Sequence, residues 1–109
     1  MTDERRNQER VPASIEVRWV GNAGKHESRA SDLSLGGCFV DTVGQVKLGE
    51  KITFSLRLPA GESIEIEGEV VYAYPSIGFG VRFTNVSDSD TRKLEWLIKA
   101  AAYREGKQE

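Results

Sequence analysis

From Ser14 onward the chain alternates. Ile15, Val17 and Trp19 take every second position, with Glu16 and Arg18 between them, the period-two signature of a strand with one buried face. Gly21-Asn22-Ala23-Gly24 is turn chemistry, and a second, more polar strand is expected over His26 to Ser31. Asp32-Leu33-Ser34-Leu35-Gly36-Gly37 then interrupts the pattern before a short apolar strand, Cys38-Phe39-Val40, and Gly44 to Gly49 reads as a loop. Ile52, Phe54, Leu56 and Leu58 alternate with Thr53, Ser55 and Arg57, and Pro59-Ala60-Gly61 turns the chain back. Ile64, Ile66, Val70 and Tyr72 face one way and Glu65, Glu67 and Glu69 the other, with Gly68 marking a bend or bulge. After the turn at Tyr74-Pro75-Ser76, Phe79, Val81 and Phe83 make the sixth strand.

The period changes at Ser87. Leu94, Leu97, Ile98 and Ala101 lie at i, i+3, i+4 and i+7, an amphipathic helical stripe. Ser87-Asp88-Ser89-Asp90 offers N-cap candidates and acidic residues where the helix dipole favours them, and Gly106 lies just past the expected helix end. About six short antiparallel strands followed by one helix predict a mostly-β barrel or sandwich, with the helix covering an open end or edge. Trp19, Tyr72 and Phe79 are expected in the core, and Cys38 beside Phe39. The three glutamates are expected on the solvent face of their strand rather than as a catalytic pair. Trp96 falls off the helical stripe, where it either packs on the barrel or meets a partner or a second copy.

The first ten residues are almost wholly polar or charged. The chain is therefore divided into an arm over 1–11, a barrel over 12–86 and a helix of the same domain over 87–106, with the arm expected to be flexible. A length of 109 residues fits one domain and leaves little room for a second. The apolar share of 39% and charged share of 29% are those of a folded chain. No apolar run approaches the ~20 residues that span a bilayer, and the charged N-terminus is not a secretory signal. A cytoplasmic protein without membrane insertion is expected. Cys38 and His26 are the only cysteine and histidine, too few for a disulfide or a Cys/His zinc site. A catalytic triad would have to use His26, which is expected in a turn beside Gly24 and Lys25. No nucleophile–base pair, metal cluster or P-loop is present, so neither an enzyme nor a cofactor is expected. A net charge of −2 also lacks the basic footprint of a nucleic-acid binder, and any anion site must be a local cluster.

Two features stand apart from the strand patterning. One is Arg5-Arg6-Asn7-Gln8-Glu9-Arg10, with Arg6 and Arg10 four apart; the other is Asp32-x-Ser34-x-x-Gly37. In this order they resemble the paired RxxxR and (D/N)xSxxG motifs of the PilZ domain family. Val11-Pro12 and Gly78-Phe79-Gly80-Val81-Arg82-Phe83 extend the likeness over nearly the whole chain. The resemblance implies a six-stranded antiparallel PilZ-type β-barrel with one C-terminal α-helix. It also implies binding of the bacterial messenger cyclic di-GMP by Arg5, Arg6, Arg10, Asp32, Ser34, Gly36 and Gly37, as a monomer or homodimer that signals to an effector protein in motility, pilus, exopolysaccharide or biofilm control. The chemistry is consistent with this. A guanidinium forks onto phosphate or guanine O6 and N7 and stacks on a purine. A carboxylate accepts from the guanine N1–H and amino group, a serine hydroxyl donates or accepts, and the two glycines allow positive φ and backbone N–H groups turned to an anion. By the same resemblance Arg5, just before the motif, accompanies an intercalated ligand pair, hence two ligands per chain. The arm is expected to order over the ligand at a cost of roughly 2–5 kcal/mol and so to act as a switch. The rival expectation is a PilZ-type adaptor that acts through protein contacts alone.

Overall fold

The alternation of the sequence becomes an inward and an outward face. The computed structural model describes residues 10–104. Arg5, Arg6, the rest of the arm before Arg10, and Gly106 lie outside them. Six strands, β1 (Val11–Gly21), β2 (Gly24–Leu33), β3 (Gly37–Asp41), β4 (Lys51–Arg57), β5 (Ser63–Tyr74) and β6 (Gly78–Asn85), are followed by one helix, α1 (Asp88–Arg104). The strands close in the order β1-β2-β3-β6-β5-β4, each antiparallel to its neighbours. This is the expected mostly-β barrel with a C-terminal helix.

A barrel of six strands has an interior that side chains alone can fill. Val17, Trp19, Leu33, Val40, Ile52, Phe54, Leu56, Ile64, Ile66, Val70 and Phe79 fill it. Trp19 meets Phe79 edge-on at 5.0 Å between ring centroids, a favoured aromatic geometry. Gly68 sits at a register shift against β6, as a bulge requires, and a Cβ there would strike Val81.

The helix closes one side. Ser87 caps it: its Oγ accepts from Asp90 N at 3.1 Å, and its carbonyl accepts from Thr91 N at 2.8 Å. Leu94 and Leu97 are buried, with Ile98 and Ala101 packed beside them, and α1 lies on β1 and β5. Asp90 also accepts from the backbone of Glu65 at 3.2 Å, tying the first turn to β5. No helix among the described residues is long and apolar enough to cross a membrane.

Three expectations change. Val11, assigned to the arm, is the buried first residue of β1. His26 lies within β2, as the strand expected over His26 to Ser31 requires and not in the turn beside Gly24 and Lys25, and its ring stacks on Trp19 at 4.2 Å. The strand continues because the turn is made by Asn22 and Ala23 alone, with Gly21 paired to Gly24. Tyr72 is not core but 36% exposed. The register of β5 against β6 shifts between Val70 and Tyr72, so the alternation counted from Ile64 ends at Val70.

Away from α1, the barrel end is fastened by Glu50. Its carboxylate accepts from Asn22 N at 2.6 Å and from Lys47 N at 2.8 Å, joining the β1–β2 turn to the loop before β4. Its own carbonyl accepts from Val70 N at 2.9 Å. Glu50 is itself buried, so Glu50→Ala strips two part-buried backbone donors of their charged acceptor. We expect a loss of about 3 kcal/mol in urea unfolding, and a smaller loss for Glu50→Gln, which keeps an acceptor oxygen.

Candidate functional site

The spacing Asp32-x-Ser34-x-x-Gly37 is explained by three separate physical demands. Ala30 and Leu33 are both buried although three residues apart, because β2 carries an extra residue against β3 between Ala30 and Asp32. That bulge leaves Ser31 and Asp32 together on the outer side. A bulge of this kind re-aims a side chain, and here it turns a carboxylate outward where strict alternation would send it into the core.

Ser34 is the staple of the loop that follows. It is 1% exposed. Its Oγ accepts from Gly36 N and Gly37 N, each at 3.2 Å, and donates to Gly37 O at 3.3 Å. Ser34 N donates to the same carbonyl at 2.9 Å. Gly37 is demanded by close approach, since a Cβ there would collide with the Val81 carbonyl oxygen of β6. The expectation that Gly36 and Gly37 use positive φ and offer free N–H groups to an anion is not met. Neither is among the positive-φ glycines, and both N–H groups are taken by Ser34.

Arg10 immediately precedes β1, and its Nη1 lies 3.0 Å from Asp32 Oδ1. The first motif therefore touches the second across 22 residues of sequence. β1 and β2 pair here as Val11 with Leu33 and Pro12 with Asp32, which brings the start of β1 beside the bulge. Both partners stay solvated, with side chains 48% and 37% exposed. An exposed pair contributes about 0–1 kcal/mol, so this contact orients the two groups far more than it stabilises the fold.

The outer face beside Asp32 carries residues that sequence reasoning did not single out. Asp32 is paired with Phe39, Phe39 with Gly80, and Gly80 with Tyr72. The Tyr72 ring lies over Gly80 and the Phe39 ring over Gly78. Phe39, Tyr72 and Tyr74 form one aromatic cluster, with centroids 5.5 to 6.4 Å apart. In the adjoining row Arg82 pairs with Gly37, and its guanidinium reaches Glu69 at 2.8 Å. Period two could have marked Arg82, because it alternates with the inward Phe79 and Val81. The aromatic cluster was hidden by the slip in β5.

A cleft of about 650 Å³ does not include the Arg10–Asp32 pair. It runs between the start of β1, the end of β4 and the second half of α1, with Pro12, Arg29, Arg57 and Trp96 in its walls. Groups of three or more His, Cys, Asp or Glu residues placed to hold a metal ion are absent from the described residues.

A family model described as PilZ domain matches residues 4–100. No curated protein matches the sequence significantly. Among solved structures, the Bacillus subtilis inhibitor of motility MotI/DgrA is 19% identical with a TM-score of 0.77, over 96% of this chain and 53% of that one. The Escherichia coli YcgR PilZ domain, solved with c-di-GMP, is 19% identical with a TM-score of 0.74, over 92% and 93% of the two chains. The PilZ domain of CeSA from a cellulose-synthesizing bacterium is 22% identical with a TM-score of 0.67, over 84% and 96%. The chain thus spans about half of MotI/DgrA (53%) and nearly all of the two isolated domains. At these identities the likeness is one of fold.

Directly behind the motif loop, Cys38 is buried and its thiol is pushed up from 9.0 to about 12. Burial is the main cause; the Asp32 charge adds to it and Arg10 opposes it. Above pH 9 the unfolded chain releases this proton while the folded one keeps it. Stability should therefore fall as pH rises from 9 toward 12, by up to about 1.4 kcal/mol per pH unit. Urea titrations at pH 8 and pH 10 should show this decline for the natural chain and a smaller one for Cys38→Ala. An equal decline in both would mean that the thiol is not held neutral.

Proposed function

The chain belongs to the PilZ domain family, and from that premise we propose that it is a receptor for cyclic di-GMP that passes the messenger's signal to a partner protein. The observation that carries this reading is the contact of Arg10 with Asp32 at 3.0 Å. It joins the RxxxR motif to the DxSxxG motif on an open, solvated face of the barrel.

Each residue of the proposed site has a distinct task. Arg10 spends one nitrogen on Asp32 and keeps its other donors and its flat faces for phosphate or guanine. Asp32 keeps Oδ2 to accept from a guanine edge. Arg6, and Arg5 for a second ligand molecule, would close over the messenger from the arm. Ser34, Gly36 and Gly37 act at one remove: the serine stitches the loop shut, and the glycines let it lie against β6. Arg82, beside Gly37, is a further cation within the same surface. The ligand is a dianion, so a site of arginines balanced by few carboxylates suits it despite the chain's overall negative charge.

Ordering of the arm over the ligand would change the surface that a partner meets, which makes the protein an adaptor rather than a catalyst. Control of motility, pili, exopolysaccharide or biofilm in the bacterial cytoplasm is the setting this role implies.

Isothermal titration with cyclic di-GMP, with GMP and cyclic AMP as controls, tests the reading. Saturable binding selective for the cyclic dinucleotide is expected. Arg6→Ala, Arg10→Ala and Asp32→Ala should each weaken it at least about tenfold, the loss of one or two charge-assisted hydrogen bonds, with the circular dichroism unchanged. Arg10→Lys should also weaken it, since the fork and stacking face go while the charge stays. A folded protein that takes up no cyclic di-GMP would turn the reading to the ligand-independent adaptor. Binding that ignores all three alanine substitutions would move the site elsewhere.

A further inference from the structure

Helix α1 buries one face against the barrel and carries a second ordered face toward solvent. Arg92, Trp96, Lys99 and Tyr103 follow one another at spacings of four, three and four. At about 100° per residue the four side chains lie within roughly 60° of arc. All four are exposed, Trp96 by 54% and Tyr103 by 71%. The packing of α1 rests on Leu94, Leu97, Ile98 and Ala101 and does not require these aromatics. The ion pairs of α1 among the described residues are made by Lys93, on the neighbouring side, with Glu62 at 3.7 Å and Asp90 at 3.6 Å.

The order of this stripe is cation, aromatic, cation, aromatic. Read in reverse it is aromatic, cation, aromatic, cation. Two copies laid antiparallel about a twofold axis between residues 97 and 98 therefore bring Arg92 opposite Tyr103 of the second copy, and Trp96 opposite its Lys99. Every facing pair is a cation on an aromatic ring. Glu95, also exposed, falls within one residue's rise, about 1.5 Å, of the second copy's Lys99 along the axis and supplies its countercharge. This offsets the approach of the two lysines at the twofold. Trp96 also forms a wall of the cleft of about 650 Å³ between α1 and the start of β1, so the second helix meets a recessed surface rather than a flat one.

We infer that the exposed face of α1 is a self-complementary docking surface for a second copy of this chain, forming an antiparallel, isologous helix pair. This inference is independent of the ligand reading. The stripe is only three turns long, about 17 Å, at the small end of specific interfaces. Association is accordingly reversible and concentration-dependent, with a Kd on the order of tens of micromolar.

Sedimentation velocity of the full chain from about 5 to 500 μM tests it. The natural chain should pass from monomer to dimer across that range, with the emission of solvent-exposed Trp96 moving to the blue while buried Trp19 contributes a constant background. Trp96→Ala should remain monomeric with an unchanged far-ultraviolet spectrum. Glu95→Lys and Lys99→Glu each place like charges across the twofold and should be monomeric alone. Mixed one to one, they restore both 95–99 pairs and should form a heterodimer. The inference is overturned if the natural chain stays monomeric at 500 μM, or if a dimer forms that Trp96→Ala and both charge variants leave unchanged. A monomer whose Trp96 emission shifts only when poly-glutamate is added would assign the stripe to an acidic partner and overturn it equally.

Discussion

A sheet of six strands can close on itself only if the strands bend strongly, and bending at this radius forces the pairing register to slip. The slips occur in β1 between Pro12 and Ile15, in β2 between Ala30 and Asp32, in β6 between Phe83 and Asn85 opposite Gly68, and in β5 between Val70 and Tyr72. Each adds or skips a residue on one strand, so the side chains beyond it change face. Two of the slips meet on the β1–β2 pair, where Pro12 stands opposite Asp32. The same closure that lets Trp19, Phe54 and Phe79 fill the interior therefore turns one carboxylate outward beside the start of the chain. The slip after Val70 does the same for Tyr72. The outer surface around Asp32 is in this sense a by-product of making so small a barrel, used to hold groups that a regular sheet would have buried.

Energy is distributed unequally between the two ends of this barrel. Glu50 is buried and satisfies two part-buried backbone donors, and its removal takes away the charged acceptor that joins two loops. Arg10 and Asp32 meet at a similar distance but in solvent, where water and salt replace most of what the contact gives. The first arrangement is suited to fixing loops, and the second to exchange. Under the proposed function, a dianionic ligand competing for Arg10 would give up little in loosening an exposed ion pair and would gain charge-assisted bonds from its guanidinium. Ser34 belongs to the first kind of arrangement although it lies in the same motif as Asp32. All of its hydrogen-bonding reach is spent within its own loop.

Much of this was legible in the sequence because period two and period 3.6 are local signals. Ile52, Phe54 and Leu56, or Leu94 and Leu97, face the core for reasons contained in a few neighbouring residues. The motif pair was legible as well, by resemblance, and the contact of Arg10 with Asp32 makes it spatial. Tyr72 was misplaced because a bulge depends on which strand lies alongside, and the pairing of β5 with β6 is not written in β5. The strand from His26 was legible, but its start at Gly24 was not, because the hairpin turn is only Asn22-Ala23 and Gly24 already pairs with Gly21. Gly37 looked like a residue needing unusual φ. Its actual demand is the nearness of the Val81 carbonyl on β6, a contact across 44 positions of sequence that no local pattern records.

The helix shows the converse case, where a local pattern carries more than the fold consumes. Packing on β1 and β5 uses one stripe of α1, and that stripe accounts for Leu94, Leu97, Ile98 and Ala101. Propensity and solubility would be satisfied by any long polar residues on the far side. Two large aromatics there are costly to leave in water, and their strict alternation with Arg92 and Lys99 is not something solubility asks for. Such a pattern gains free energy only if something covers it, and the reversal symmetry of the stripe fits the helix itself better than it fits an arbitrary anionic surface. An anionic surface would be served by the cations alone. The aromatics at matching positions are what a second copy of the same face would use.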